Sequence, residues 1–176
     1  MDIITGYTGV PHITAEQDRS INQAIFGSDS YVTVVGQKFS AVLQTNNEIR
    51  IRDGVLIHQG CAGIIKKGTY DPVTLTNGSQ GLKRVDLIVC RYTKNANTLV
   101  ESLEWAVIQG ESVESGTPVV PEHIEGDIQA GVTISDMPMY KVQFDGINIT
   151  QIEPVFETIS RIPSIKVDGT TLVIKV

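Results

Sequence analysis

No stretch of this chain approaches the roughly 18 consecutive apolar residues that a membrane-spanning helix needs. The opening MDIITGYTGV has neither a basic start nor a long apolar run, so no secretion signal is expected and synthesis in the cytosol is inferred. Basic residues are scarce. There are 14 Lys+Arg against 20 Asp+Glu, a formal charge of −6, so no positive field gathers phosphates, which argues against nucleic acid and anionic membrane as partners. Cysteine is confined to Cys61 and Cys90, each inside an apolar run (GCAGII and LIVCRY), a setting that suits buried free thiols better than a disulfide framework. At 176 residues the chain has room for one domain with a real core, or one domain and a small appendage.

Catalytic signatures are missing as well. The sequence contains no G-x-S-x-G, P-loop, G-x-G-x-x-G or C-x-x-C. His12, His58 and His123 include no pair at the spacing that a zinc site on one element prefers. In HIEGD, His123, Glu125 and Asp127 are close enough to raise a metal site, but a solvated acidic loop is the simpler reading. Glu101 and Glu104 fall on opposite faces of one strand and Glu111 and Glu114 fall in a loop, so neither couple forms a glycosidase pair by itself. No residue is assigned a catalytic, cofactor-binding or metal-binding role. Trp105 alternates with Leu103 and Val107, which favours a core position over a sugar-stacking platform shared with tyrosines such as Tyr31 and Tyr70.

The chain does contain one helix and a series of strands. TAEQDRSINQAIFG reads as a helix. Thr14 and Gln17 fit a capping box, Ile21, Ala24 and Ile25 form a narrow apolar stripe, and Gly27 supplies the stop. Roughly three turns are too few to be stable alone, so the helix must dock on something. Asp-Gly and Asn-Gly pairs punctuate the remainder of the chain. EIRIRDGVLIH predicts a hairpin with Arg52-Asp53-Gly54 as a three-residue loop, glycine taking the left-handed position. YKVQFDGINIT predicts a two-residue Asp145-Gly146 turn that sets Phe144 against Ile147 and Val142 against Ile149. Residues 85–89 are apolar on both faces, as in a strand inside a sandwich or barrel. The tract 110–131 is a long loop.

The chain closes on PSIKVDGTTLVIKV, where an Asp168-Gly169 turn pairs Ile165 with Leu172 and gathers Ile165, Val167, Leu172, Ile174 and Val176 on one face. A lone two-stranded hairpin is marginal in water. Its apolar face therefore calls for a cover, from its own domain or from sister copies, and sister copies are the preferred reading. The expected architecture is mainly β: an antiparallel β-sandwich or barrel with one N-terminal α-helix and a C-terminal β-hairpin. Residues 1–157 form the helix and β-domain, 158–162 a linker, and 163–176 an oligomerisation hairpin. The candidate oligomer interface comprises Ile21, Ile25, Ile165, Val167, Leu172, Ile174 and Val176.

The strings TGVPHITAEQDRSINQAIFG, DGVLIHQGCAGI, GTYDPVTLTNGSQGLKRVDLIVCRYTK, ESLEWAVIQG and PMYKVQFDGINI, in that order, resemble an N-terminal module of phage and prophage tail-fibre, baseplate or receptor-binding proteins of Gram-positive bacteria. The resemblance covers roughly residues 5–157. It implies a homotrimer that attaches a fibre to the baseplate, other tail proteins as partners, no catalytic activity, and a place in the virion after assembly in the host cytoplasm. Longer relatives continue into a stem and a host-binding head, so direct contact with cell-wall saccharide is a weaker expectation for this chain. A carbohydrate-binding module is the alternative function, and a cell-wall hydrolase ranks last.

Overall fold

The computed structural model describes residues 4–5, 9 and 13–159, and the backbone of 164–168 and 171–175. His12 and Val176 lie outside the described residues. The chain is mainly β, with, among the described residues, one helix and two facing sheets in a sandwich-like arrangement rather than a closed barrel.

Helix α1 (Ala15–Phe26) begins as its sequence dictates. The Thr14 hydroxyl accepts the Gln17 amide proton, and the Gln17 side chain accepts the Thr14 amide proton, so two orphan donors of the first turn are satisfied. Gly27 ends it with a φ of 91°, a backbone region that glycine enters without steric penalty. The apolar stripe, however, does not dock. Arg19, 6% exposed, is the side of the helix that meets the body. It donates to Glu101 Oε2 at 2.6 Å and to Gln129 Oε1 at 3.1 Å. Asn22 donates to the Gly60 carbonyl and Gln23 to the Gln59 carbonyl. The reason is the surface beneath: it is a hairpin turn and two polar side chains, and an apolar stripe laid there would leave those carbonyls unsatisfied.

The first sheet, sheet A, contains β1 (Ser30–Gly36), β2 (Ala41–Thr45), β3 (Glu48–His58), β4 (Cys61–Thr74) and β9 (Glu157–Ile159). Its axis is β3. On one edge β3 pairs along its length with β4, and on the other it pairs first with β2 and then with β1. The loop expected at Arg52-Asp53-Gly54 is therefore absent; those residues sit inside one continuous strand. The hairpin turn comes later, at Gln59-Gly60, with φ of 48° and 87°. Asp53-Gly54 marks a bend instead. The Asp53 carbonyl accepts the amide protons of Gln37 and Phe39 from the β1–β2 connection, and a Cβ on Gly54 would lie 2.8 Å from the Phe39 backbone nitrogen. Gly54 is thus required for close approach rather than for a left-handed turn. Opposite the bend, the register jumps from Arg52↔Tyr70 to Gly54↔Ile65, so residues 66–69 of β4 bulge outward. The bend also switches which side faces inward, from Ile49 and Ile51 to Leu56.

The second sheet, sheet B, has the order β6-β5-β7-β8, built from β5 (Lys83–Lys94), β6 (Glu101–Ile108), β7 (Ile134–Asp145) and β8 (Asn148–Pro154), all antiparallel. β5 lies inside it, as its two apolar faces predict, and Leu87, Ile88 and Val89 are buried. The β7–β8 hairpin forms with a shifted register. Phe144 pairs with Ile149 and Val142 with Ile152, while Ile147 falls in the turn and is exposed. A bulge between Gln143 and Phe144 absorbs the extra residue.

Between the sheets lies the core. Val32, Phe39, Ile49, Ile51, Leu56 and Val73 of the first half meet Ile88, Met139, Val142 and Phe144 of the second, with Leu103, Trp105 and Val107 packed against them. Phe39 and Trp105 meet edge to face, with centroids 5.9 Å apart. Lys38 and Phe39 both hold positive φ, 54° and 56°. Burial of the Phe39 ring, together with a hydrogen bond from the Tyr140 hydroxyl to the Phe39 carbonyl, opposes that strain.

Near the C-terminal end, β9 pairs in parallel with β1, so the first two residues assigned to the linker are strand within the main sheet. The tail forms β10 (Ser164–Asp168) and β11 (Thr171–Lys175), a separate two-stranded sheet. Its register differs from the expected one by two residues: Ile165 pairs with Ile174 and Val167 with Leu172.

Candidate functional site

The tract 110–133 carries no strand beyond one bridge, Lys83↔Val113, yet both of its ends are fixed by buried polar groups. At the first end Asp86, fully buried, accepts two hydrogen bonds from the Arg84 guanidinium at 2.8 and 3.0 Å and a third from the Gly110 amide at 3.0 Å. Arg84 reaches further, to the Thr76 carbonyl at 2.6 Å, and lies 4.4 Å above the Phe144 ring. With donors and acceptors matched, this ion pair survives burial.

At the second end Asp136 takes a two-pronged contact from Arg91, at 2.7 and 2.9 Å, and the Ile124 amide proton at 3.0 Å. Burial pushes its carboxyl up, but those hydrogen bonds and the Arg91 charge outweigh it, and the net shift is downward. The same contact raises Arg91. Gln59, at the β3–β4 turn, donates to the Gly126 carbonyl and accepts the Ile128 amide proton. Three buried or part-buried side chains from two sheets thus hold a loop that has almost no ladder of its own.

The loop covers the outer face of sheet B. Pro118 and Val120 line a cavity of about 320 Å³ with Val85, Lys141 and Gln143. This cover explains how Val85 is buried on the side away from the core. Val119, between the two inward-turned residues, is 79% exposed. Glu111, Glu114, Glu122 and Glu125 are exposed around it. Long loops fixed at both ends by a rigid scaffold are where binding function concentrates.

Beside the loop is a cavity of about 570 Å³ lined by His58, Gln59, His123, Glu125, Asp127, Asp136 and neighbours. His58 is buried; its Nδ1 and the Ser30 hydroxyl share a hydrogen bond at 2.7 Å, whereas its Nε2 meets no partner in hydrogen-bond geometry. Desolvation lowers the imidazole pKa, against the Ser135 backbone and the Asp136 charge, which raise it. Asp136 is already committed to Arg91, and Asp127 Oδ1 accepts the Gln129 and Ala130 amide protons. Among the described residues no three His, Cys, Asp or Glu side chains stand together as a metal site requires.

Among the residues assigned to the interface, Ile25 is 45% exposed and Ile21 partly so, on the side of α1 turned away from Arg19. Ile165 and Val167 lie on β10, and Leu172 and Ile174 on β11. Among the described residues no strand pairing joins the helix group to the hairpin group. Trp105 is packed in the core and donates Nε1–H to Asp71 at 3.0 Å, so its face is no sugar platform. Tyr92 and Tyr140 are buried. Both thiols are free, Cys90 buried and pushed up to about 12 by desolvation, Cys61 part-buried.

Sequence reasoning missed the exposed Val119 and the two ion pairs. The signal for the first was an apolar Val-Val flanked by Pro118 and Pro121 in an otherwise acidic tract. For Arg84 and Asp86 it was two opposite charges placed i, i+2 beside an apolar strand. Arg91 and Asp136 meet across two strands and left no local trace. Neither the known protein families nor the curated proteins contain a match to this chain.

Proposed function

We propose that this chain is a structural, non-enzymatic component of a phage or prophage tail tip, a homotrimeric module that joins a receptor-binding fibre to the baseplate. The observation that carries the reading is the orientation of α1. A helix with an apolar stripe normally buries it; here Arg19 is buried instead, while Ile25 is left exposed and Ile21 only half-buried. A terminal hairpin that pairs Ile165 with Ile174 and Val167 with Leu172 adds a second element in need of a neighbour. Several sequence strings resembling tail modules support the biological setting. The mechanism is geometric: copies around an axis present one end to the baseplate and continue the fibre at the other.

Removal of residues 163–176 is expected to lower the mass of the particle in multi-angle light scattering while the β-domain keeps its circular dichroism. An unchanged mass removes the hairpin from the assembly.

A further inference from the structure

Sheet A presents an outer face that α1 covers only at the Gln59-Gly60 end. Farther along, Val35, Val55 and Ile64 line a groove of about 310 Å³ with Lys67 at its rim, and Ile64 is 69% exposed. Lys66 and Lys67 stand on the outward bulge of β4. Beside it Arg50 and Arg52 lie over the Tyr70 ring, at 4.4 and 5.7 Å from its centroid. Four basic side chains stand here against Glu48, which pairs with Arg50, and the buried Asp53, so on a chain of net charge −6 this is a local excess of positive charge.

We propose that this face receives the Val119 loop of a second copy of the chain, a contact that rests on the self-assembly of the proposed tail module. Three features argue for that occupant. Shape matches: Val119 projects from the loop while Pro118 and Val120 turn inward, and the groove is lined by Val35, Val55, Ile64 and Ile65 together with the buried Asp53. Charge matches: Glu114 and Glu122, exposed on either side of the projecting valine along the chain, are opposite in sign to the exposed Lys66 and Lys67 beside the groove. The loop is also already fixed by Asp86, Asp136 and Gln59, so docking orders little that is not ordered beforehand.

The contact cannot form within one copy. The loop lies on the outer face of sheet B and the groove on the outer face of sheet A, on opposite sides of the sandwich. Each copy then offers a loop on one side and a groove on the other, a heterologous contact that closes into a ring when its rotation fits.

The test uses the full chain, with mass followed against concentration by light scattering. Val119→Asp and Ile64→Asp, both at exposed positions, are each expected to raise the concentration for half-assembly at least about tenfold. Lys67→Glu is expected to weaken assembly and Glu122→Lys to restore it in that background. Should an aspartate variant lose its circular dichroism, cross-linking decides. Val119→Cys chains mixed with Ile64→Cys chains, both in a Cys61→Ser background and oxidised by glutathione disulfide, are expected to give a mixed disulfide that neither gives alone. Wild-type assembly with unaffected aspartate variants, or with no mixed disulfide, overturns this contact and leaves the assembly standing. A wild-type chain that stays monomeric at every concentration removes the contact and the trimer together.

Discussion

The two sheets are finished differently. Sheet B has its core side against sheet A and, on its other side, Pro118 and Val120 of the loop 110–133 beside Val85, which is buried although it points away from the core. Sheet A has the same core side, but its outer side is left with Ile64, Val35 and Val42 exposed and a basic bulge beside them. Both faces are apolar enough to be covered. One finds its cover in its own chain because two buried carboxylates, Asp86 and Asp136, tie the loop down; the other has no such ties. The difference teaches that burial in this protein is directed by a few satisfied polar contacts, which decide where an apolar surface is closed internally and where it is left open.

The largest effect is expected at Asp86. Asp86→Ala leaves the Arg84 guanidinium buried with one partner fewer and releases the Gly110 amide. The cost is expected to be about 3–5 kcal/mol, read from the urea midpoint. A loss under about 1 kcal/mol breaks the claim that this ion pair holds the cover of sheet B.

A smaller loss is expected on sheet A. Gly54→Ala forces a Cβ to within 2.8 Å of the Phe39 backbone and 2.8 Å of its ring, and should cost about 1–3 kcal/mol. Gly68→Ala, in open space on the β4 bulge at a φ of 77°, should cost about 1 kcal/mol from backbone strain alone. Equal losses at the two positions would falsify the bend as the point where the β1–β2 connection closes on β3.

The pH response sharpens the comparison at the place where sheets and loop meet. The folded-state pKa of His58 is lowered, so the unfolded chain binds its proton more readily. Stability is fully present above the ordinary value of 6.5 and is lost as pH falls below it toward the folded-state value. Asp136, also lowered, adds a second loss below its ordinary 3.8. Urea midpoints taken across this range should fall in two steps, and His58→Gln should remove the upper one.

Much of the local structure was legible. The Thr14–Gln17 capping box and the Gly27 stop are local chemistry and form where the sequence places them. β5 announced itself by apolar residues on both faces, and Leu103, Trp105 and Val107 by their alternation. The long loop was legible from its missing pattern. The Asp53-Gly54 turn was misread because glycine after aspartate signals either a left-handed turn or a close approach, and only the arriving Phe39 distinguishes them. The Phe144 register was misread because a bulge costs one residue without changing which residues are apolar.

For the candidate interface the division is similar. Ile21 and Ile25 were legible as an apolar stripe, but their outward orientation depends on Gln59, Gly60, Glu101 and Gln129, which lie far along the chain. Val119 was hidden for the same reason.

By itself the sequence determined where the helix starts and ends, that β5 is an interior strand, and that the chain is mainly β, because these depend on contacts between residues a few positions apart. The tertiary structure alone decided which side of the helix is buried, where β3 bends, which loop closes sheet B, and which apolar face stays open. Each of those outcomes depends on a hydrogen bond, an ion pair or a steric contact between segments tens of residues apart, and no local pattern encodes a partner at that distance.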